Sequence, residues 1–112
     1  MIIEECIRNY LANKLDVPVY MEKPENKPEK YAIVQKTGGG ISEHLWHAIV
    51  AIQSYADSMF DAAELNEEVI QAMLDIILLD EISSCKLNSS YEYTDTSEKK
   101  YRYQAVFDLV NY

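Results

Sequence analysis

The spacing of apolar positions along the chain predicts two amphipathic helices. Residues 2–15 repeat apolar side chains at steps of three to four, with charged and amide side chains on the other face. Residues 58–79 show the same spacing and predict a longer helix. Ser54 or Asp57 is positioned to provide its N-cap, because both side chains can accept a hydrogen bond from a first-turn amide.

The other segments follow the two-residue alternation of β-strands. The segment 44–55 is apolar on both alternating faces, which indicates a central strand that is covered on both sides. A polar connector near the C-terminus joins two alternating arms and predicts a hairpin. The predicted strands are residues 17–21, 31–36, 44–55, 82–93 and 100–112.

These elements predict one α+β domain over residues 1–112. The order is α-β-β-β-α-β-β, with a mainly antiparallel sheet of four to five strands packed against two helices. A chain of 112 residues with 48% hydrophobic side chains is able to bury a core without a metal ion or a disulfide.

Residues 24–40 hold most of the residues that restrict or free the backbone. Pro24 and Pro28, two of the three prolines, lie just before the predicted strand 31–36, and all three glycines follow it. The sequence predicts a loop over residues 37–42, since glycine tolerates turns and close backbone approach. A phosphate loop is the less favoured interpretation, because the GxxxxGK[ST] pattern is missing and no helix follows directly.

The net charge of −9 is concentrated in one segment. Residues 57–81 contain eight acids and no Lys or Arg, so this segment carries −8 of the total. A general nucleic-acid-binding protein has the opposite bias. A solvated outer face is the usual reason for a charge run, but such faces commonly mix both signs because like charges repel.

Candidate chemistry is sparse. His44 and His47 fall on opposite faces of a strand and so do not share a metal ion. Cys6 and Cys85 lack metal spacing and are interpreted as reduced, buried thiols. The tyrosines of the terminal hairpin lie near basic residues, an arrangement that binds single strands, but their alternation favours cross-strand pairs within a sheet. We therefore expect no catalytic site, no metal and no cofactor.

The segment 24–40 resembles a segment of the tail terminator (tail completion) proteins of long-tailed bacteriophages. In that family a proline-bearing connector leads to an apolar strand that ends in Thr-Gly-Gly, as in residues 24–39 here. The following strand HAIVAIQSYA and helix SMFDAAELNEEVIQAML agree in order, as does the closing hairpin YRYQAVFDL. The third glycine, Gly40, departs from the family pattern.

The resemblance implies a structural virion protein at the junction of tail and head, made in the cytoplasm of the bacterial host. Such proteins form a ring, typically a hexamer, that caps the tail tube protein and receives the head connector or stopper protein, while DNA passes through without specific binding. No membrane is involved. The implied contacts with subunits or tube are Thr37, Gly38, Gly39, Gly40, Thr94, Asp95, Thr96, Ser97, Glu98, Lys99 and Lys100, and the implied acidic lining comprises Glu64, Glu67, Glu68 and Asp75.

Three alternatives remain open at the level of sequence. A head–tail stopper or another neck protein has a similar size, and the glycine segment favours the terminator over it. A small ligand- or partner-binding module of a bacterial host belongs to a different class of protein. An enzyme that uses the histidines is the least favoured interpretation.

Overall fold

The computed structural model describes residues 1–94, 97 and 99–112 and places two helices on one face of a five-stranded sheet. This confirms the predicted α+β class and the predicted element order. The elements are α1 (Ile3–Lys14), β1 (Val19–Tyr20), β2 (Tyr31–Ser42), β3 (Leu45–Ala56), α2 (Met59–Leu74), a short 3-10 helix (Ile76–Leu78), β4 (Ile82–Glu92) and β5 (Tyr101–Asn111).

The strand order across the sheet is β1-β2-β3-β5-β4. β1 runs parallel to β2, and all other neighbours are antiparallel. β3 pairs along nearly its whole length with β2 on one side and with β5 on the other. The strand that the sequence predicted to be central therefore is central.

The main core lies between this sheet and the two helices. α2 packs across β3, β5 and β4, whereas α1 packs against β1 and β2. The helices are joined where the Tyr10 hydroxyl donates to the Ala72 carbonyl at 2.6 Å. The buried side chains of this core are Ile3, Ile7, Leu11, Leu15, Val19, Ala32, Val34, Ala48, Val50, Ile52, Leu65, Val69, Met73, Ile76, Ile82, Ala105, Phe107 and Leu109.

A second, smaller cluster covers part of the opposite face of the sheet, here called the open face. Tyr31 and Tyr55 stack with ring centroids 4.6 Å apart, and Tyr20 meets Tyr31 edge-on. Ile33 completes the cluster. β3 is thus buried on both faces at its C-terminal half, which is the reason for its lack of polar alternation.

α2 begins one residue later and ends five residues earlier than the sequence predicted. Its N-cap is Ser58, whose hydroxyl accepts from the Asp61 amide at 3.1 Å, so the expected caps Ser54 and Asp57 were wrong. α2 has no basic residue in its last turn to complement the helix dipole. The chain tightens at Asp75 into the 3-10 helix, which buries Ile76 in the core.

The predicted glycine loop over residues 37–42 was wrong, because these residues continue β2. β2 bulges at Thr37 and then pairs Gly38, Gly39 and Gly40 with β3. The loop itself is only the two residues Glu43 and His44, both with positive φ (52° and 66°). Positive φ at both central residues is the requirement of a type I′ hairpin turn, which normally selects Asn-Gly. The Glu43-His44 dipeptide does not have this composition, so the sequence did not predict a two-residue turn at this position.

The three glycines are not equivalent in their surroundings. A Cβ added to Gly39 would stand 2.5 Å from the His47 carbonyl oxygen, whereas a Cβ added to Gly40 would meet nothing within 4 Å. The close approach of the two backbones at Gly39 is therefore what requires glycine.

We expect Gly39→Ala to lower the free energy of unfolding by about 1–3 kcal/mol, because the β2–β3 ladder must move to admit the methyl group. Gly40→Ala is the matched control and should stay within about 0.5 kcal/mol of the unsubstituted protein. Urea unfolding followed by circular dichroism measures both. Equal effects of the two substitutions would contradict the assignment of Gly39 as the position of close approach.

Candidate functional site

A groove between α2 and the C-terminal end of α1 brings together all four residues of the predicted acidic lining. Its volume is about 850 Å³. It also contains an apolar floor formed by Leu15, Ile70 and Ala72. The charged residues that line it are Asp16, Glu64, Glu67, Glu68 and Asp75 against the single base Lys14.

The helical repeat explains why these carboxylates share one side. Leu65, Val69 and Met73 face the sheet and are buried, so the positions beside them are turned outward. Glu64 and Glu68 are four apart and therefore neighbours on the helix surface. All four predicted lining residues are exposed.

None of these four carboxylates forms an ion pair with any residue in the described part of the chain. Like charges at positions i and i+4 destabilise a helix by about 0.2–0.5 kcal/mol per pair. The fold therefore retains an unfavourable local arrangement, and the groove carries a negative potential that attracts cations and repels other polyanions.

The glycine segment is the first of the two predicted contact surfaces and lies on the outer part of β2. The Thr37 hydroxyl donates to the Ile49 carbonyl at 3.3 Å, so Thr37 secures the bulge against β3. Gly39 and Gly40 are exposed, and Gly38 is half-buried. No strand lies outside this part of β2 among the described residues, since β1 pairs only with Ala32 and Ile33.

The hairpin tip is the second predicted contact surface, and the structure describes only some of its residues. Asp95, Thr96 and Glu98 lie outside the described residues. The Thr94 hydroxyl accepts from the Arg102 amide at 3.3 Å. Ser97 and Lys99 are exposed.

Lys100 has a structural role that the sequence did not reveal. Its ammonium donates to the Pro28 and Glu29 carbonyls at 2.9 and 3.0 Å and to the Asp57 carboxylate at 2.5 Å. It also lies 6.0 Å from the centroid of the Tyr31 ring. Lys100 thereby fastens the proline-containing connector to the start of α2 and to β5.

The hairpin tyrosines are divided between the two faces of the sheet. Tyr91 pairs with Gln104 and accepts its side-chain amide proton at 2.6 Å on the open face. Tyr103 pairs with Glu92, the next residue along β4, and so lies on the helix-bearing face. The tyrosines therefore do not share one face of the sheet, as a platform for stacking nucleic-acid bases would require.

Arg102 organises the aromatic residues of the open face. Its guanidinium lies 4.3 Å from the Tyr93 ring centroid and 5.7 Å from that of Tyr55. It also donates to the Tyr93 carbonyl and to the Tyr55 hydroxyl, at 2.5 and 3.1 Å. These contacts fix the end of the sheet that lies next to the hairpin tip.

The histidines and cysteines do not converge on a site. His44 lies in the β2–β3 turn and His47 on β3, and the described residues contain no group of three or more His, Cys, Asp or Glu that could hold a metal ion. Both cysteines are free and half-buried, rather than fully buried as predicted. Burial, with a contribution from Asp108, raises the pKa of Cys85 to about 11, and burial near Glu81 also raises the pKa of Cys6. Neither thiol is therefore activated as a nucleophile.

Comparison with known proteins adds no identification. Neither a scan against protein-family models nor a search of curated proteins gives a match for this chain. Among the described residues, no helix is both long enough and apolar enough to cross a lipid bilayer.

The contacts of Lys100 lead to a prediction for the connector. Lys100→Met should lower the free energy of unfolding by about 1–2 kcal/mol, because two backbone carbonyls and a carboxylate lose a charged donor. It should also speed proteolytic cleavage within residues 21–30. Limited proteolysis with mass spectrometry, together with urea unfolding, tests this.

Lys99→Met removes the same charge from an exposed neighbouring side chain and is the matched control. It should leave both the cleavage rate and the unfolding free energy unchanged. If Lys100→Met behaves like Lys99→Met, Lys100 does not anchor the connector.

Proposed function

We propose that this chain is a structural tail terminator of a long-tailed bacteriophage or prophage. In this role, copies of the chain form a ring that caps the tail tube and joins it to the head connector. The proposal begins from the resemblance of residues 24–40 and of the elements that follow. It is supported by the acidic groove, in which Glu64, Glu67, Glu68 and Asp75 stand together without ion pairs to described residues.

The acidic groove is the observation that carries the proposal. A fold that keeps several unpaired carboxylates on one exposed helix gains nothing in stability from them. A ring that must let DNA slide through its centre does gain, because an acidic lining repels the phosphate backbone and prevents adhesion. We assign these four residues to the lining or to the flanks of the DNA path.

The contacts with neighbouring subunits and with the tube are assigned to the two remaining surfaces. These are the glycine-bearing part of β2 and the polar segment between β4 and β5. Loops and edges on a rigid scaffold are common sites of recognition. The assigned residues are Thr37, Gly38, Gly39, Gly40, Thr94, Asp95, Thr96, Ser97, Glu98 and Lys99. Lys100 is not assigned to these contacts, because its ammonium already bonds the Pro28 and Glu29 carbonyls and the Asp57 carboxylate.

Loss of the gene from the phage or prophage genome that encodes it tests the proposal directly. We expect headless tails or tubes of abnormal length, because nothing stops tube growth or recruits the head. Electron microscopy of lysates from the deletion strain measures tail length, and normal tails in that strain would refute the terminator role.

In a strain that expresses a labelled copy of the chain, the label should lie at the head-proximal end of tails. Tails without label would also refute the terminator role. Label on isolated heads without tails would instead favour a stopper.

The acidic lining predicts a specific effect of charge reversal. The double substitution Glu64→Lys and Glu68→Lys should raise the affinity of the assembled ring for double-stranded DNA about tenfold or more at low salt, and added salt should weaken this gain. Binding of fluorescent DNA to purified tails or rings, measured against salt concentration, gives the result.

Glu22→Lys with Glu25→Lys makes the same change of charge on the exposed connector and serves as the control. It should raise the DNA affinity far less, because the connector lies outside the acidic groove. An equal effect of the two double substitutions, or a ring structure with Glu64 and Glu68 on its outer rim, would contradict the assignment to the lining.

A further inference from the structure

The outer edge of β2 is a strand edge without a partner in the described part of the chain. β1 covers β2 only at Ala32 and Ile33, whereas β2 continues to Ser42. Residues 38–42 lie beyond the bulge at Thr37 and pair regularly with β3 on their inner side. Their outward amide and carbonyl groups are arranged to form a ladder with another extended segment. We call residues 38–42 the glycine edge.

The glycine edge lacks the features that normally protect an edge strand. It contains no proline, no charged side chain and no bulge, and its first three residues have no side chain at all. Space is open beside Gly40, where an added Cβ would meet nothing within 4 Å. The opposite edge of the sheet is formed by β4. Two irregularities interrupt the register of β4, so this edge is better protected than the glycine edge.

Exposed apolar side chains accompany this edge. Ile41 and Trp46 are cross-strand partners, and 61% and 53% of their surfaces are exposed. Trp46 also lines a cavity of about 330 Å³ together with Ile2 and Tyr112, which are themselves exposed. An apolar patch beside an open edge is typical of an interaction surface.

We propose that the glycine edge pairs with the glycine edge of a second copy of this chain in an antiparallel, two-fold arrangement. With Gly40 at the two-fold axis, Gly39 lies opposite Ile41 of the second copy, and Gly38 lies opposite its Ser42. Ile41 then meets a position that carries no side chain, so the two backbones can approach without collision. The two Ile41–Trp46 pairs are brought together across the axis and withdrawn from water. The same surface therefore complements itself, as a two-fold contact requires.

The size of this contact sets its strength. A stable interface buries about 800 Å² on each partner, and a ladder of five residues with two apolar side chains per copy is smaller. We therefore expect a weak, concentration-dependent dimer with a dissociation constant in the micromolar range. The two-fold contact is proposed for the free chain, in which neither ring subunits nor the tube occupy the glycine edge. It does not depend on the proposed ring, because two-fold pairing closes on two copies, whereas ring contacts repeat by rotation.

Charge exchange at Gly40 tests the pairing in the purified chain. Gly40→Glu places two carboxylates face to face at the two-fold axis, and Gly40→Lys places two ammonium groups there. Each variant alone should be monomeric at concentrations at which the unsubstituted chain dimerises. An equimolar mixture should recover the dimer, because opposite charges then meet at the axis. Sedimentation velocity over a concentration series measures the oligomeric state of the unsubstituted chain, of each variant and of the mixture. Circular dichroism verifies that each variant is folded.

Ser83→Glu is the matched control, since it adds the same charge to an exposed position on β4. It should dimerise like the unsubstituted chain. The proposal is overturned if the unsubstituted chain is monomeric up to its solubility limit, if the Gly40 variants dimerise unchanged, or if Ser83→Glu abolishes the dimer. A larger ring that persists in Gly40→Glu would also overturn it, while leaving the proposed terminator function intact.

Discussion

The continuous pairing of β3 with both of its neighbours is the constraint on which the rest of the structure depends. Its helix-facing side chains, among them Val50 and Ile52, form the centre of the main core, and Tyr55 joins the cluster on the opposite face. The C-terminal half of β3, which is buried on both sides, must have its backbone groups paired, because an unpaired buried amide or carbonyl is costly. β2 and β5 provide these partners and pair with β3 along nearly its whole length, and the two helices cover the face that carries the main core.

The pairing of β3 also extends to the glycine segment. β3 starts at Leu45, immediately after a two-residue turn, and its first, largely exposed residues pair with β2. Their partners include the three glycines, which extend β2 past the bulge at Thr37. At Gly39 the close approach to the His47 carbonyl leaves no room for a side chain. The glycines thus serve strand pairing, and the absence of side chains leaves the outer edge of β2 bare.

The sequence was a good guide wherever a long periodic pattern was present. α1, the central position of β3 and the terminal hairpin were predicted correctly, because each buries a regular stripe of apolar side chains. The prediction failed for the glycine loop and for the last turn of α2. Glycine-rich sequence favours a loop, but residues 38–42 pair with β3 instead. The apolar spacing favours a continuous helix to residue 79, but the chain forms a 3-10 helix after Asp75 that buries Ile76. The acidic residues were recognised as unusual, but the groove that they share with the end of α1 was not foreseen.

The sequence by itself determined the class of the fold, the two helical faces and the concentration of negative charge on α2, since each depends on periodicity or composition. Only the tertiary structure decided that the carboxylates share one groove, that Lys100 fastens the connector, and that the glycines form an open edge. These features arise between residues that are distant in the chain. Lys100, for example, contacts Pro28 and Asp57 only because β5 lies beside β3. Such contacts depend on strand order, which local patterns do not encode.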